Sequence, residues 1–240
     1  MIVIPMMGKS SRFFSTGYDV PKYMLPLGRG TVFTHALSSF RNYFNNTPFL
    51  FLVRPDFNTE KFVRSQVESL GILNYKIIVL LNETSGQADT VIQGVRHYTD
   101  DTPLIIFNID SIRHDFIVPH INDFGDCFLE VFKGHGDSWS FVKLNKDGNV
   151  IKTTEKIRIS NLCSNGLYGF AKLGDFRTAF KDGGQQCLAE YGEIYIAPLY
   201  NVLVNMGLDV RCIEIPITHM EFCGTPDEYE TLAKKLSVSE

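Results

Sequence analysis

The chain has 240 residues and a formal net charge of −4, and 44% of its residues are hydrophobic. A disordered chain, a collagen and a coiled coil are excluded, because each needs a more biased or periodic composition. The negative net charge argues against a nucleic acid or an anionic membrane as a partner. Apolar runs such as residues 77–81 are far shorter than the roughly 20 residues of a membrane-spanning helix.

The five cysteines are scattered along the chain and form no C-x-x-C pair. A disulfide framework and a zinc site are therefore not expected, and the cytoplasm, with its reducing conditions, is the expected location. Residues 1–7 lack the basic residues that open a signal peptide, so we interpret them as a buried first strand.

Short apolar runs alternate with segments of helical periodicity in the first half of the chain, which is typical of an α/β protein. Strands are predicted at residues 2–4, 49–53, 76–80 and 104–107. Helices are predicted near residues 31–44, 58–70 and 86–98. The first of these helices has apolar residues at spacings of three and four, which indicates one buried face.

The pattern changes from about Asp126 onwards, where strands are predicted at residues 128–132, 140–144 and 150–154. Helices are predicted near residues 174–182, 194–206 and 227–236. No repeat, low-complexity tract or linker interrupts the chain. We therefore expect a single domain of residues 1–240, with a mostly parallel half (1–125) and a mixed-sheet half (126–240).

The loop after the first strand is the first segment that indicates chemistry. It begins with Gly8 and carries the cations Lys9, Arg12 and Lys22, with Asp19 as its one acid. Such a loop suits phosphate, because free backbone N–H groups can point at its oxygens. From spacing alone, a solvated loop with ordinary lysines explains the same residues equally well.

Three common motifs are excluded. A Walker A loop requires glycine where the chain has Val3, and no G-x-G-x-x-G fingerprint is present. The D-x-D motif expected of a glycosyltransferase lacks its first aspartate, because Asn108 stands at that position.

Taken as a whole, residues 5–27 resemble the signature of the sugar-phosphate nucleotidylyltransferases, in which a strand is followed by G-x-G-[ST]-R-[FL] and then by a P-K pair. The matching positions are Gly8, Ser11, Arg12, Phe13, Pro21 and Lys22. Ser10 stands where the family usually has its second glycine, so the loop must accept a side chain close to the phosphates. The opening is most similar to the capsule-associated branch of the family. The resemblance implies a Rossmann-like, GT-A-related fold with a mostly parallel central mixed sheet flanked by helices.

Further segments resemble the family's later motifs, in the family's order, over roughly residues 2–230. Residues 82–90 are similar to its nucleobase loop, and residues 107–111 to the strand end that carries its metal-binding aspartate. Residues 154–156, 165–168 and 192–198 are similar to its acceptor-binding segments.

The resemblance implies that an acceptor phosphate attacks the α-phosphorus of a nucleoside triphosphate and that pyrophosphate leaves. Arg12 and Lys22 are then the expected catalytic residues, acting on the triphosphate oxygens and on the α-phosphate. The implied nucleotide-binding residues, in residues 1–125, are Met7, Gly8, Lys9, Ser10, Ser11, Glu83, Gly86, Gln87 and Asp110. The implied acceptor-binding residues, in residues 126–240, are Lys156, Asn165, Gly166 and Glu193.

The cofactor that the resemblance implies is Mg²⁺, held by Asp110 as a hard oxygen ligand. The family's second metal carboxylate often precedes its G-T pair by two positions, where this chain has Phe222. Glu221 replaces it if the strand register shifts. Otherwise Glu221 is a surface carboxylate, and Asp110, the triphosphate and water complete the coordination.

Glu83 bears on the choice of base. A carboxylate only accepts hydrogen bonds, and cytosine presents an amino donor where uracil and thymine present an acceptor. CTP is therefore favoured if Glu83 reaches the base, whereas capping of the following helix is an equal alternative for this residue. The expected partners are this nucleotide and a small phosphorylated acceptor, and a homo-oligomer is compatible with the sequence.

A protein of another class has the same fold, namely a module that binds a nucleotide without catalysis. The intact set of Arg12, Lys22 and Asp110 favours an enzyme, because a pure binding module need not keep all three.

Overall fold

A computed structural model describes residues 1–119 and 124–238 of the chain. The chain forms two compact units that interleave along the sequence. The first unit comprises Met1–Val3, Asn82–Phe107 and Val118–Ile217. The second unit comprises Ile4–Leu81, Asn108–Ile117 and Thr218–Glu240.

Strands and helices both occur along most of the chain. The strands are β1 (Ile2–Met6), β2 (Pro26–Leu27), β3 (Gly30–Thr31), β4 (Phe49–Val53), β5 (Tyr75–Val79), β6 (Leu104–Phe107), β7 (Ser111–Arg113), β8 (Cys127–Lys133), β9 (Ser140–Leu144), β10 (Val150–Glu155), β11 (Leu162–Phe170), β12 (Val210–Glu214) and β13 (Met220–Phe222). The helices are α1 (Ser11–Ser15), α2 (Val32–Ser38), α3 (Thr59–Leu70), α4 (Gln87–Gly94), α5 (Leu173–Tyr191), α6 (Ile196–Asn205) and α7 (Pro226–Val238). Short 3₁₀ turns lie at Lys22–Met24, Arg41–Tyr43 and Ile217–His219.

The first unit is organised around β11, which pairs antiparallel with β6, β8 and β9. Strand β10 extends this sheet antiparallel to β9, and β12 runs parallel to β8. The start of β1 runs parallel to β6, with Ile2 opposite Ile105. Eight consecutive residues of β11 are buried, from Cys163 to Phe170, although several of them are polar or glycine.

The sequence analysis did not predict β11, because its Ser-Asn-Gly segment lacks the apolar alternation of a strand. The helix predicted near residues 174–182 is also longer than expected, because α5 continues to Tyr191 through two consecutive glycines. A Cβ at Gly183 would lie 2.7 Å from Cγ2 of Val202 on α6, so the missing side chain lets α5 and α6 pack closely. Tertiary packing therefore outweighs the low helix propensity of glycine here.

A hydrophobic cluster in the second unit joins the segments that carry its candidate site residues. Its buried members are Phe13, Leu25, Leu27, Val32, Ile112, Cys223 and Leu232. Phe13 comes directly after Arg12, and Ile112 lies two residues after Asp110. Burial of apolar surface in this cluster therefore brings together segments that are far apart in the sequence. Strands β4 and β5 run parallel in the same unit, and β7 pairs antiparallel with β13.

The predicted fold class is confirmed: the chain is a mixed α/β protein with a central sheet flanked by helices. The parallel pairs of its N-terminal strands, β1 with β6 and β4 with β5, agree with the sequence analysis. Strands β4, β6 and β9 have the predicted bounds. The division at residue 125 stays a prediction. In the described part of the chain, no helix is both long and apolar enough to cross a membrane.

Candidate active site

The candidate phosphate loop follows β1, at residues 7–11, and leads into α1. Ser10 has a left-handed backbone conformation, with φ 51°, and its carbonyl accepts hydrogen bonds from the backbone N–H of Phe13 and of Phe14. Gly8, Lys9, Ser11 and Arg12 are exposed. The loop therefore presents its cations and its backbone to solvent, where a triphosphate can reach them.

Ser10 occupies the position at which the family usually has its second glycine. A left-handed conformation favours glycine, so serine at this position carries a conformational cost. Its side-chain hydroxyl accepts a hydrogen bond from the backbone N–H of Lys22 at 3.2 Å. This bond ties the phosphate loop to the segment that carries the candidate catalytic lysine.

Lys22 and Asp110 form an ion pair in the second unit. The Nζ atom of Lys22 lies 2.5 Å from Oδ2 of Asp110, and each side chain is 21% exposed. The backbone carbonyl of Asp110 also accepts a hydrogen bond from the N–H of Cys223, at 2.8 Å. The structure therefore brings two of the predicted site residues into direct contact and anchors the second of them to the segment after β13.

A further carboxylate lies beside Asp110 that the sequence analysis did not single out. An ideal Cβ at Gly224 would lie 3.3 Å from both Oδ2 of Asp110 and Oε2 of Glu228. The same Glu228 oxygen accepts hydrogen bonds from the N–H groups of Gly224 and Thr225. In the sequence, Glu228 is indicated by the T-x-x-E capping box at the start of α7.

Asp110 fits the role of a magnesium ligand. Mg²⁺ in nucleotide sites is bound through one or two carboxylates together with substrate phosphates and water. Asp110 supplies such a carboxylate, partly exposed and beside the cationic loop segment of Lys22. Among the described residues no group of three or more His, Cys, Asp or Glu side chains is arranged to hold a metal ion. A magnesium ion held by Asp110 would therefore need phosphate and water oxygens to complete its coordination shell.

Glu221 lies on β13 and is engaged by Lys235 and His114. Its carboxylate accepts hydrogen bonds from Nζ of Lys235 at 2.5 Å and from Nε2 of His114 at 3.1 Å. Burial alone would raise the pKa of Glu221, but these two hydrogen bonds lower it below its usual value. The metal role of Glu221 stays a prediction, and it requires the carboxylate to give up these two hydrogen bonds.

The sequence analysis also missed Arg54, which supports the phosphate loop. The Nη1 atom of Arg54 donates to the carbonyl of Met7 at 3.3 Å, and its guanidinium group is held by the carboxylate of Asp56. The hydrogen bonds from Arg54 lower the pKa of Asp56. Only the i, i+2 spacing of the R-x-D segment after β4 could have indicated this pair.

The candidate nucleobase loop lies in the first unit and contacts the segment around Ile194. The N–H of Ile194 donates to the carbonyl of Ser85 at 2.7 Å, and the N–H of Ala88 donates to the carbonyl of Ile194 at 2.9 Å. Gly86 has φ 138°, and a Cβ on it would lie 2.5 Å from the N atom of Ile194. Glycine is therefore required at residue 86, by its conformation and by the close approach of the backbone.

The helix-capping alternative for Glu83 stays a prediction, as does its contact with the base. Gly86, the N-cap residue of α4, has no side chain with which to cap the helix. The carboxylate of Asp89 closes the loop by accepting from the N–H of Ser85 at 2.7 Å. Glu83 is exposed and Gln87 is half-buried at the start of α4.

The candidate acceptor residues lie in the same unit as this loop. Lys156 follows β10 and donates from Nζ to the hydroxyl of Tyr195 at 2.8 Å. Glu155, directly before it, is buried and hydrogen-bonded to the hydroxyl of Ser140. Burial raises the pKa of Glu155, although Ser140 and Lys156 oppose that rise. Glu193 is exposed.

Asn165 and Gly166 lie within β11 rather than in a loop. Asn165 is 2% exposed, its amide donates to Oε1 of Glu130 at 2.6 Å, and its carbonyl oxygen accepts from the N–H of Leu167. Gly166 has φ 86°, and the pairing of β11 with β8 is irregular at this point. The side chain of Asn165 thus stabilises a strand irregularity, and its role at the acceptor stays a prediction.

Comparison with solved structures gives matches over the whole chain. The structure of a nucleoside-diphosphate-sugar pyrophosphorylase from Vibrio cholerae RC9 is 44% identical, with a TM-score of 0.91, and the match covers 98% of this chain and 100% of that one. An inositol-1-phosphate CTP transferase from T. maritima is 15% identical, with a TM-score of 0.74, over 98% of this chain and 95% of that one. A UDP-glucose pyrophosphorylase solved with UDP-glucose is 12% identical, with a TM-score of 0.73, over 100% and 98% of the two chains.

The last two similarities concern the fold alone, whereas the first extends to the sequence. No protein-family model matches the chain, and no curated protein matches it.

Proposed function

The chain belongs to the nucleoside-diphosphate-sugar pyrophosphorylase family of nucleotidyltransferases, and from this premise we propose that it transfers a nucleoside monophosphate from a nucleoside triphosphate, with CTP favoured, to a small phosphorylated acceptor. Pyrophosphate is the second product. The observation that carries the proposal is the meeting of the phosphate loop, Lys22 and Asp110 in one unit. A cationic loop beside a metal-binding carboxylate is suited to a triphosphate and its Mg²⁺.

In the proposed reaction an oxygen of the acceptor phosphate attacks the α-phosphorus. A new P–O bond forms there as the bond to the β-phosphate oxygen breaks, and that bond's electron pair leaves with pyrophosphate. The exposed guanidinium of Arg12 binds triphosphate oxygens, and the ammonium group of Lys22 stabilises the negative charge on the α-phosphate. The protein's contribution is thus to position two anions and to neutralise charge, with no covalent intermediate.

Asp110 is the residue that would hold Mg²⁺, which when bound neutralises charge on the phosphate oxygens. Its carboxylate is paired with Lys22 in the structure described above. Binding of the nucleotide then requires an exchange of partners, in which Lys22 moves to a phosphate oxygen and the carboxylate becomes available as a ligand. The exchange leaves neither side chain without a counter-charge, because each of the two groups keeps a partner of opposite sign.

The preference for CTP is supported by Glu83. The residue is exposed in the candidate nucleobase loop, so its carboxylate is accessible to a ligand. A carboxylate at the base edge accepts a hydrogen bond from the amino group of cytosine, whereas it would face an acceptor oxygen in uracil or thymine.

The proposed product is a precursor of a capsule or another surface polysaccharide. The support is the similarity of the opening motif to the capsule-associated branch of the family. Within that branch, the CTP:phosphoglutamine cytidylyltransferase of capsular phosphoramidate synthesis is the specific activity we propose. A sugar 1-phosphate is the alternative acceptor. The 44% identical structure is that of a nucleoside-diphosphate-sugar pyrophosphorylase, which favours testing sugar 1-phosphates together with phosphoglutamine.

The proposal is tested by measuring pyrophosphate release from ATP, CTP, GTP and UTP. Each is combined with a panel of sugar 1-phosphates, phosphocholine and phosphoamino acids, with Mg²⁺ present. We expect release with CTP and one acceptor class, and none without acceptor. Binding of nucleotide without release for any pair would favour the alternative function, a non-catalytic nucleotide-binding module.

A further inference from the structure

We propose that Tyr195 is a positioning residue for the acceptor phosphate, because its hydroxyl holds the ammonium group of Lys156 in place beside the nucleobase loop. The inference rests on the proposed function and adds to it the residue that decides where the acceptor's phosphate binds. Tyr195 lies directly before α6, which begins at Ile196.

The contact between the two side chains is a hydrogen bond. The Nζ atom of Lys156 donates to the Tyr195 hydroxyl at 2.8 Å and lies 4.8 Å from the centroid of the Tyr195 ring. These distances place the ammonium group beyond the hydroxyl oxygen rather than above the ring face, so the directional hydrogen bond is what holds it. Lys156 is thus held at a defined place although its side chain is 49% exposed.

The backbone of Lys156 is in an unusual conformation that the surrounding structure maintains. Its φ is 54°, in the left-handed region, and its N–H donates to the carbonyl of Trp139 at 2.9 Å. Non-glycine residues are uncommon there, and such strained positions cluster at functional sites. The preceding residue, Glu155, is buried, which fixes the direction in which the chain leaves β10.

Tyr195 is in turn fixed relative to the candidate nucleobase loop. The preceding residue, Ile194, exchanges backbone hydrogen bonds with Ser85 and Ala88 of that loop. The carbonyl of Tyr195 also accepts from the thiol of Cys187 on α5. Lys156 is therefore linked through Tyr195 to the loop that would hold the base, which sets the acceptor phosphate relative to the nucleotide.

The charges around Lys156 explain why a neutral partner is useful. The Nζ atom lies 3.8 Å from Oε1 of Glu155, and a full ion pair with that carboxylate would cancel the charge needed to bind a phosphate. The Tyr195 hydroxyl instead holds the ammonium group without neutralising it. Lysine has three N–H donors, and only one of them is used in the bond to this hydroxyl. The ammonium group therefore keeps donors for a phosphate group, and the hydroxyl acts by holding it in place.

The test is Tyr195→Phe, which keeps the ring but removes the hydroxyl that holds Lys156. We expect the KM for the acceptor to rise about tenfold, the effect of one lost hydrogen bond, while kcat and the KM for CTP change less than about twofold. Tyr75→Phe is the matched control, because its hydroxyl donates to Glu68 in the other unit. The control should leave all three values unchanged.

A second background separates positioning from a general structural role. In Lys156→Met, the added Tyr195→Phe change should have no further effect on the acceptor KM, because the hydroxyl acts through the ammonium group. An unchanged acceptor KM in Tyr195→Phe alone would overturn the inference. So would an equal effect of the tyrosine change in both backgrounds, or a parallel loss of melting temperature and kcat.

The inference and the proposed function fail separately. If the protein releases no pyrophosphate with any substrate pair, the proposed function is wrong. The binding of inorganic phosphate, followed by calorimetry, then tests Tyr195 directly. Weaker phosphate binding by both Tyr195→Phe and Lys156→Met supports the inference, whereas phosphate binding equal to that of the unaltered protein in either variant overturns it.

Discussion

The Nζ atom of Lys22 and the Oδ2 atom of Asp110 lie 2.5 Å apart, although the two residues are 88 positions apart in the sequence. The pair is partly exposed, with each side chain 21% accessible, so it contributes little to stability on its own. Its consequence is chemical: the two residues predicted to act on the triphosphate already neutralise each other. In the proposed function, a nucleotide with its metal ion would therefore replace an existing contact rather than enter an unpaired site.

Replacing Lys22 by alanine should remove turnover while the protein stays folded. A cation that stabilises charge in phosphoryl transfer contributes on the order of 10³-fold or more to the rate, so we expect a loss of that size in kcat. Steady-state kinetics and a thermal melt of the variant measure the two effects. Lys76→Ala, at an exposed position of β5, is the control and should have normal kcat. Near-normal turnover in folded Lys22→Ala would remove Lys22 from the mechanism.

Replacing Asp110 by asparagine should abolish Mg²⁺-dependent turnover, because an amide is a poor ligand for a hard dication. The measurement is turnover as a function of Mg²⁺ concentration, together with the binding of Mn²⁺ in the presence of CTP. We expect the variant to lose the Mn²⁺ that the unaltered complex binds. Glu221→Gln, measured in the same way, shows whether the second predicted ligand contributes. Unchanged metal binding in Asp110→Asn would contradict the assignment of Asp110.

Replacing Glu83 by glutamine should weaken the preference for CTP. We expect the unaltered protein to favour CTP over UTP by about 1–3 kcal/mol, the range for one base-edge contact in other systems. With UTP, the carboxylate of Glu83 would oppose an acceptor oxygen, whereas an amide can turn its NH₂ group towards that oxygen. The ratio of kcat/KM for the two nucleotides is the measurement. An equal ratio in both proteins would show that the backbone around Gly86 selects the base.

Replacing Gly86 by alanine should destabilise the protein by about 2 kcal/mol and raise the KM for CTP. The added Cβ would lie 2.5 Å from the N atom of Ile194, in a conformation with φ 138°. Gly17→Ala is a matched control, since Gly17 also has a positive φ, 96°, but a Cβ there meets nothing within 4 Å. Denaturant unfolding measures the loss of stability in each variant, and steady-state kinetics measures the KM for CTP. A loss in Gly86→Ala no larger than in the control would mean that the contact with Ile194 yields easily.

The stability of the protein should depend on pH through Glu155. Burial raises the pKa of this carboxyl above its usual value. The folded state therefore keeps a proton that the unfolded chain releases at about pH 4.3. Stability contributed by the protonated form is therefore present below the unfolded pKa and is lost as pH rises through the folded pKa. Glu155→Gln cannot ionise and should not show this decline.

Thermal melts at about pH 4 and about pH 7 check this dependence. We expect the melting temperature of Glu155→Gln, relative to that of the unaltered protein, to increase between the two values. Glu68→Gln, at an exposed carboxylate on α3, is the control for general effects of charge. A difference that is constant with pH would show that Glu155 ionises normally in the folded state.

The sequence by itself determined several local elements and the order of the motifs. Strands β4 and β6 were predicted with their bounds, because consecutive apolar residues specify a buried strand without help from distant parts of the chain. The bounds of β9 were also predicted, although only its central Phe-Val pair is buried. Residue type and position after a strand indicated the cationic loop, whereas the roles of Lys22 and Asp110 were implied by the resemblance to the sugar-phosphate nucleotidylyltransferases.

The tertiary structure alone decided features that depend on residues far apart in the chain. Strand β11 contains a Ser-Asn-Gly segment that interrupts its apolar residues, and its pairing with three other strands is what makes it a strand. The bond from Lys22 to the hydroxyl of Ser10, the engagement of Glu221 and the contact between Lys156 and Tyr195 leave no local pattern. Each joins side chains whose distance is set by packing of the core, and packing is a property of the whole chain rather than of any segment.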